Sequence, residues 1–285
     1  MTAPSSFSRI QVLGSVRAWR QDRELPLGPP QQRSVLALLA IADGQPVPLH
    51  EIMEALWDGT PPPSAVNVVQ TYLKRLRQLL ERDRRPRTPS QVLPRVNGGY
   101  ALRAPIEAVD LWQFRDLVRG ARQARHAGDQ PHALALLSEA LDLWKGPPAG
   151  DLPPLAQHRR VQAAFEEHGA VIGWYAELSL DTGAVAEALP LVEQSAATRP
   201  FDEPLHAALM RLYQAVGRRS EAVRVYQRNR QRLSDELGLD PGPELTAAYR
   251  ELLGEQQPRQ HRGGQAMPAT PRAGTGRTPP GRTAP

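Results

Sequence analysis

The sequence predicts two domains of different class, an α+β domain at the N-terminus and an all-α domain after it. Apolar and polar residues alternate over residues 7–18, which is the period of a strand, and helical patterns follow from Pro29 onward. An Asn97-Gly98 pair between two short apolar segments indicates a hairpin, because both positions of such a turn favour a positive φ. Beyond Asp110 the strand signals vanish, and helices rich in Ala and Leu replace them.

The predicted elements of the first domain are those of a winged helix-turn-helix. The first helix begins at Pro29-Pro30 and stops near Gly44, the second runs from Leu49 to Trp57, and the third covers residues 63–80. The leading strands contain the alternating residues Phe7, Ile10, Val12, Val16 and Ala18, and another short strand contains Leu25 and Leu27. A sheet in front of three helices is a feature of the OmpR/PhoB-like variety, which is the effector domain of two-component regulators.

The all-α domain contains three copies of a spacing between a glycine, an alanine and an apolar residue. The copies are Gly128, Ala133 and Leu137, then Gly183, Ala188 and Val192, and 34 residues later Gly217, Ala222 and Tyr226. Thirty-four residues is the tetratricopeptide period, in which small residues let paired helices pack closely. The spacing favours a tetratricopeptide-like domain, with an ordinary helical bundle as the alternative.

Charge divides the chain in the same way. Residues 1–105 carry 14 Lys and Arg against 8 Asp and Glu, whereas residues 106–257 carry 16 against 22. Residues 258–285 add five arginines and no acid, and their richness in Pro and Gly predicts a disordered basic tail. We expect these three ranges to be the winged helix, the helical domain and the tail. A basic domain suits a polyanion, although charge alone does not establish one.

Composition excludes several classes of site. The chain has no Cys, which excludes disulfides and thiolate metal sites, and no apolar run is long enough to span a bilayer. Its seven histidines form no His-Glu-x-x-His motif, and no glycine cluster precedes a Lys-Ser or Lys-Thr pair. We therefore expect a cytoplasmic protein, nucleoid-associated when bound, that is not an enzyme and has no cofactor, metal or membrane contact.

Residues 66–80 divide completely into two faces when they are placed on a helix. Val, Leu and Tyr side chains fill one arc, and the other contains Asn67, Gln70, Thr71, Lys74, Arg75, Arg77 and Gln78. No acid occurs between Asp58 and Glu81, whereas a merely solvated face usually mixes both signs of charge. Asn and Gln can pair with adenine, Lys and Arg with guanine, and a Thr methyl group can contact thymine. The pattern predicts a helix that reads DNA bases.

This helix and its surroundings supply two groups of candidate DNA contacts. The base-contact candidates, which lie at or beside the centre of the polar arc, are Asn67, Gln70, Thr71 and Lys74. The candidates for the DNA backbone or a groove flank that arc or lie at helix starts and on the wing: Arg33, Ser64, Arg75, Arg77, Arg95 and Tyr100. Contacts of the second kind set the register of a protein on DNA rather than its sequence preference.

Six stretches of the chain resemble the Streptomyces antibiotic regulatory proteins in their short form. They are PPQQRSVLALLAIADGQPV, EIMEALWDGTPPPSAVNVVQTYLKRLRQLL, VNGGYAL, VDLWQFRDLV, ALALLSEALDLWKG and RRSEAVRVYQRNRQRLSDELGLDPGPEL. The resemblance implies an OmpR-like winged helix joined to a bacterial transcriptional activation domain. It also implies an activator of an antibiotic or other secondary-metabolite gene cluster. Such an activator binds direct repeats in double-stranded DNA near the −35 promoter element, as a homodimer on DNA, and contacts the sigma factor of the RNA polymerase holoenzyme.

The sequence differs from the family in two respects, and two alternative functions remain open. Pro48 stands where members usually have Ser or Thr as a helix cap, so the start of the second helix is expected to differ from that of family members. We expect no receiver domain before the winged helix, and therefore no switch by aspartyl phosphorylation. The chain could instead be a repressor that occludes a promoter. It could also be a tetratricopeptide-type adaptor whose basic domain docks on an acidic protein without specific DNA binding.

Overall fold

Two three-stranded sheets frame the first three helices of the chain. In a computed structural model, which describes residues 9–82, 85 and 88–254, the leading sheet has the order β1-β2-β3. Its antiparallel strands are β1 (Arg9–Gln11), β2 (Arg17–Arg20) and β3 (Arg23–Glu24). The second sheet has the order β4-β6-β5, from β4 (Val47–Pro48), β5 (Arg95–Val96) and β6 (Gly99–Tyr100). The predicted sheet in front of the helices and the predicted hairpin after them are both present.

The three helices of the first domain lie close to their predicted positions: α1 (Pro30–Ile41), α2 (Leu49–Trp57) and α3 (Ala65–Leu80). Pro29 precedes α1 with an extended φ and ψ, which suits the start of a helix. Asp58 and Gly59 both have positive φ and end α2. Pro48 adjoins the start of α2 without any side-chain cap, yet this helix begins at Leu49 as predicted.

The hairpin that forms the wing depends on its turn and on one close backbone approach. Asn97 and Gly98 have φ of 48° and 76°, as the turn between β5 and β6 requires. The next residue, Gly99, lies so close to β4 that a Cβ atom there would be 2.3 Å from the carbonyl oxygen of Val47. Only glycine therefore allows β6 to pair with β4 at this point.

The helical domain consists of three helix pairs and a final helix. The pairs are α4 (Asp110–His126) with α5 (Gln130–Asp142), α6 (Arg159–Thr182) with α7 (Val185–Thr198), and α8 (Glu203–Ala215) with α9 (Arg219–Arg232), and α10 (Pro243–Leu253) follows. The repeated glycines Gly128, Gly183 and Gly217 lie at the turn within each pair, with φ of 81°, 79° and 75°. The repeated alanines Ala133, Ala188 and Ala222 are fully buried. The three copies of the predicted spacing thus coincide with three helix pairs, in which small residues allow the two helices to pack closely.

The first repeat is separated from the second by a segment that joins the two domains. Residues 143–158 lie between α5 and α6, and their backbone N–H groups donate to the turn between β1 and β2. Lys145 donates to the Leu13 carbonyl oxygen at 3.0 Å, and Ala149 donates to that of Val12 at 2.8 Å. This insertion and the greater length of α6, 24 residues against 13 in α8, together explain why the first two glycines of the repeat lie further apart than 34 residues.

Buried polar groups complete the contact between the domains. The Asp110 carboxylate accepts hydrogen bonds from the backbone N–H groups of Val12 and Leu13 at 2.9 to 3.0 Å. The Trp112 indole donates to the Ala40 carbonyl oxygen at 2.7 Å. Both residues begin α4, and both partners belong to the winged helix. The two domains are therefore held together by hydrogen bonds as well as by a shared apolar core.

A charged cluster joins α2 to the start of α6. Glu51 is 6% exposed and accepts from the guanidinium groups of Arg160 at 2.7 Å and Arg159 at 3.0 Å. Burial acts to raise the pKa of Glu51, but the hydrogen bonds and charges of Arg160 and Arg159 outweigh it, so this pKa is lowered. Glu51 is therefore ionised at neutral pH, and α2 is fixed to the helical domain through it.

Two sequence expectations need correction, and two others fall outside the described ranges. The third strand is Arg23–Glu24 rather than the segment with Leu25 and Leu27, because the tight turn after β2 brings the chain back earlier. Val66 was expected on the apolar face of α3 but is 38% exposed. Phe7 and the tail at 258–285 lie outside the described residues. Within the described ranges, no helix is both long enough and apolar enough to cross a membrane.

Candidate nucleic-acid interface

The exposed face of α3 consists of hydrogen-bonding and cationic side chains. Its buried face comprises Ala65, Val69, Leu73, Leu76 and Leu80, and the last four pack into the core of the winged helix. The opposite, exposed face, which we call the α3 polar face, comprises Asn67, Gln70, Thr71, Lys74, Arg75 and Gln78. The predicted division of this helix is thus present in three dimensions, apart from Val66 and Arg77.

The groups of the α3 polar face are largely uncommitted within the described part of the chain. The side chains of Asn67, Gln70, Lys74 and Arg75 form no hydrogen bond or ion pair there. The Thr71 hydroxyl donates to the Asn67 carbonyl oxygen at 2.8 Å, one turn back along the helix. This bond fixes the Thr71 rotamer and leaves its methyl group for an apolar contact.

The start of α3 adds a second kind of contact group. Ser64 precedes the helix and is exposed, and its hydroxyl makes no capping hydrogen bond. The first backbone N–H groups of a helix lack partners inside it, so they and the helix dipole favour an anion at this end. Val66 lies beside them and offers an exposed methyl surface, which its position at the edge of the apolar arc could have indicated.

Arg77 supports the wing from the edge of the α3 polar face. Its guanidinium donates two hydrogen bonds to the Leu93 carbonyl oxygen, at 3.0 and 2.6 Å, just before β5. Its Cζ atom also lies 5.6 Å from the centre of the Tyr100 ring. Tyr100 itself is only 6% exposed, because its ring belongs to the core of the wing. These two residues join α3 to the wing, whereas Arg95 on β5 is exposed.

Glu81 organises the segment between α3 and the wing. Its carboxylate accepts from the Ser90 hydroxyl at 2.6 Å and from the backbone N–H groups of Gln91 and Val92 at 2.7 and 2.9 Å. In the sequence, Glu81 stands out only as the first acid after the polar helix. The observed bonds show that it also sets where the chain enters β5.

Arg33 lies at the domain interface rather than near the α3 polar face. Its guanidinium forms an ion pair with Asp151, which also accepts from the backbone N–H of Val16 at 2.8 Å. The charge of Arg33 is therefore committed within the protein. Ser64 and the α3 polar face thus lie on one helix, and Arg77 joins this helix to the wing that carries Arg95, whereas Arg33 is engaged by Asp151.

The chain matches two known families, one over each of its domains. Residues 22–102 match the family described as transcriptional regulatory protein, C terminal, and residues 109–253 match the bacterial transcriptional activator domain family. The chain belongs to the bacterial transcriptional activator domain family. The regulatory protein AfsR of Streptomyces coelicolor is 40% identical over 87% of this chain and 24% of its own length. This similarity confirms the predicted resemblance to the Streptomyces antibiotic regulatory proteins.

Two further relatives widen the comparison. The transcriptional regulator RedD of Streptomyces coelicolor is 34% identical over 78% of this chain and 64% of its own length. The structure of Mycobacterium tuberculosis EmbR in complex with a low affinity phosphopeptide has 30% identity and a TM-score of 0.75, covering 89% of this chain and 66% of EmbR. The fold of both domains is thus that of a known regulator. The chain spans about a quarter of the length of the AfsR proteins that it matches.

Proposed function

We propose that the chain is a sequence-specific DNA-binding transcriptional activator whose helix α3 enters the major groove. The α3 polar face carries this proposal, since it offers amide, hydroxyl and cationic groups with no acid among them. Asn67, Gln70, Thr71 and Lys74 take the base edges. Val66 adds an apolar contact for a thymine methyl group. No catalytic step, cofactor or metal forms part of this function.

Phosphate contacts in this proposal come from groups around the α3 polar face. Ser64 and the free N–H groups at the start of α3 bind one phosphate, and Arg75 and Arg95 bind others. Arg77 and Tyr100 act indirectly by fixing the wing, because their side chains are engaged with Leu93 and with each other. Arg33 is assigned to the domain interface and not to DNA.

In this proposal, the helical domain provides the activator function of the DNA-binding protein. The relatives AfsR, RedD and EmbR are named as regulatory or transcriptional regulatory proteins. By analogy, we propose that two copies bind direct repeats near the −35 element of a promoter in a secondary-metabolite gene cluster. The helical domain then recruits the RNA polymerase holoenzyme through its sigma factor. The protein acts in the cytoplasm, at the nucleoid when it is bound to DNA.

Replacing Lys74 by alanine tests whether α3 reads bases. We expect specific binding to weaken by about 1–3 kcal/mol, with little change on a scrambled duplex, because a base contact contributes only at the correct sequence. The measurement is a gel-shift titration across a salt series, with the promoter regions of neighbouring genes and with scrambled duplexes of equal length.

The chain's other lysine provides a matched control. Lys145 is exposed in the segment between α5 and α6, so Lys145→Ala removes the same charge and the same side-chain atoms outside α3. We expect this variant to bind both duplexes as the unchanged protein does. Equal loss on both duplexes for Lys74→Ala would make Lys74 a phosphate contact. Retention without any sequence preference would favour the adaptor function instead.

A further inference from the structure

A pocket of about 360 Å³ lies between α7, α8 and α9, away from the residues of the α3 polar face. Its volume is at the lower end of the range of about 300–1,000 Å³ that is typical of small-molecule sites. Leu209 and Val225 provide apolar wall, and Asn229 and His206 provide buried polar wall. The combination of apolar wall and convergent polar groups is that of a binding site.

Asn229 has a buried, unpaired hydrogen-bond acceptor in the wall of this pocket. The residue is 3% exposed, and its Nδ2 atom donates to the Val225 carbonyl oxygen at 3.0 Å, which fixes the orientation of the amide. Its Oδ1 atom has no hydrogen-bond partner in the part of the chain that the structure describes. A buried acceptor without a partner has lost its contact with water and gained no hydrogen bond in return, so a donor from a ligand would stabilise it.

His206 adds a second acceptor to the same wall. It is 5% exposed, and its Nδ1 atom lies 2.8 Å from the Asp202 carbonyl oxygen. Burial lowers the pKa of His206, so the ring is neutral at pH 7 and its Nδ1–H donates to that oxygen. The lone pair of a neutral ring then remains on Nε2. Both buried polar residues of the pocket, Asn229 and His206, therefore have an acceptor that can bind a hydrogen-bond donor of a ligand.

The remaining charge at the pocket is positive. Arg228 and Arg232 line it from α9, and among the described residues Arg228 has no ion-pair partner. Arg232 is held only loosely, at 3.6 Å from Glu236. The acid that lines the pocket, Glu193, is engaged by the Tyr213 hydroxyl at 2.6 Å and by Arg218 at 3.5 Å. The Nε atom of Arg228 donates to the Arg224 carbonyl oxygen at 3.3 Å, so an anionic group would meet the remaining N–H groups of this guanidinium and the weakly paired Arg232.

We propose that this pocket binds the carboxylate end of an α-amino acid with an aliphatic side chain. Arg228 and Arg232 bind the carboxylate, Asn229 Oδ1 accepts from the neighbouring N–H, and the side chain contacts Leu209 and Val225. A free amino acid and the last residue of a peptide share this chemistry, since each has an N–H donor next to a carboxylate. The site is independent of DNA binding, and its test does not require the proposed function.

Calorimetric titration of the full-length protein with matched probes tests the ligand chemistry. L-leucine represents the free amino acid, and a short peptide that ends in leucine represents the peptide end. L-leucinamide lacks the carboxylate, and 4-methylpentanoate lacks the amino group. We expect leucine or the peptide to bind at least tenfold more tightly than either deprived probe. Binding by neither leucine nor the peptide, or equal binding by all four probes, overturns the proposal.

Three variants of α9 locate the site. Asn229→Leu keeps the side-chain size without the acceptor, and Arg228→Gln removes an exposed cation, so each should weaken binding of the preferred probe at least tenfold. Arg224→Gln is the matched control, since Arg224 pairs with Glu221 at 3.3 Å one turn earlier and does not line the pocket. Its affinity should equal that of the unchanged protein. If Arg228→Gln binds the probe as the control does, the proposal fails, whether or not Asn229→Leu folds.

Discussion

Replacing Asp110 by alanine is expected to lower the free energy of unfolding by about 2–5 kcal/mol. The change leaves the backbone N–H groups of Val12 and Leu13 without their acceptor at the buried contact between the two domains. Each unsatisfied buried donor costs about 1–3 kcal/mol, because it has lost water and gained no partner. Urea denaturation followed by tryptophan fluorescence measures the loss.

Asp116 on the same helix provides the control for this prediction. Its side chain is 50% exposed, and among the described residues it pairs only with Arg119, one turn away. Asp116→Ala should therefore change the free energy of unfolding by less than about 0.5 kcal/mol. If Asp110→Ala were no more harmful than Asp116→Ala, the Asp110 carboxylate would not hold the two domains together.

The same carboxylate should make stability depend on pH in a defined direction. Burial raises the pKa of Asp110 to about 6, against the opposing effect of the N–H groups of Leu13 and Val12. The folded protein therefore binds this proton more readily than the unfolded chain does. The contribution of this proton to the free energy of unfolding is fully present below about pH 4, and it is lost as the pH rises through about 6. We expect Asp110→Asn to remove this part of the pH dependence in denaturation curves.

Replacing Gly99 by alanine is expected to destabilise the wing by about 2–3 kcal/mol and to weaken DNA binding on every sequence. The added Cβ atom would lie 2.3 Å from the Val47 carbonyl oxygen, so β6 would have to move away from β4. A displaced wing loses its contacts with the DNA backbone, which carry no sequence information. The affinity for specific and scrambled duplexes should therefore fall alike. Thermal unfolding and gel-shift titration measure the two effects.

Gly173 allows the same substitution in open space. A Cβ atom there meets no atom within 4 Å, and the residue lies in the interior of α6. Gly173→Ala should therefore raise the free energy of unfolding by about 0.5–1 kcal/mol, because alanine loses less backbone freedom in a helix. A Gly99→Ala variant as stable as the unchanged protein would show that the wing tolerates a shift of β6.

Elements with strong local signals were predictable from the sequence. Helix α2 has its predicted bounds because Pro48 and the Asp58-Gly59 pair restrict the backbone on both sides. The helix pairs follow from glycines and alanines at fixed spacing, since close packing needs small residues at those points. The two faces of α3 follow from helical periodicity, and only positions at the edge of an arc, such as Val66, were assigned to the wrong face.

Contacts between residues far apart in the chain could not be predicted in this way. Arg33 meets Asp151, and Asp110 meets Val12, over about a hundred residues, and such pairs leave no local pattern in one sequence. Tyr100 looked like a surface residue of the wing because an aromatic residue after a turn suits either side. Its burial comes from packing in the core of the wing beside Arg77, whose own position depends on where the Leu93 carbonyl oxygen lies.

Footprinting of the full-length protein on the promoters of neighbouring genes tests the central claim most directly, namely that α3 reads a DNA sequence. We expect two protected direct repeats whose centres are separated by about one helical turn, roughly 10–11 base pairs. Protection should disappear in the Lys74→Ala variant and persist in Lys145→Ala at the same protein concentration. Protection without a preferred sequence, or protection that survives unchanged in Lys74→Ala, would contradict the account.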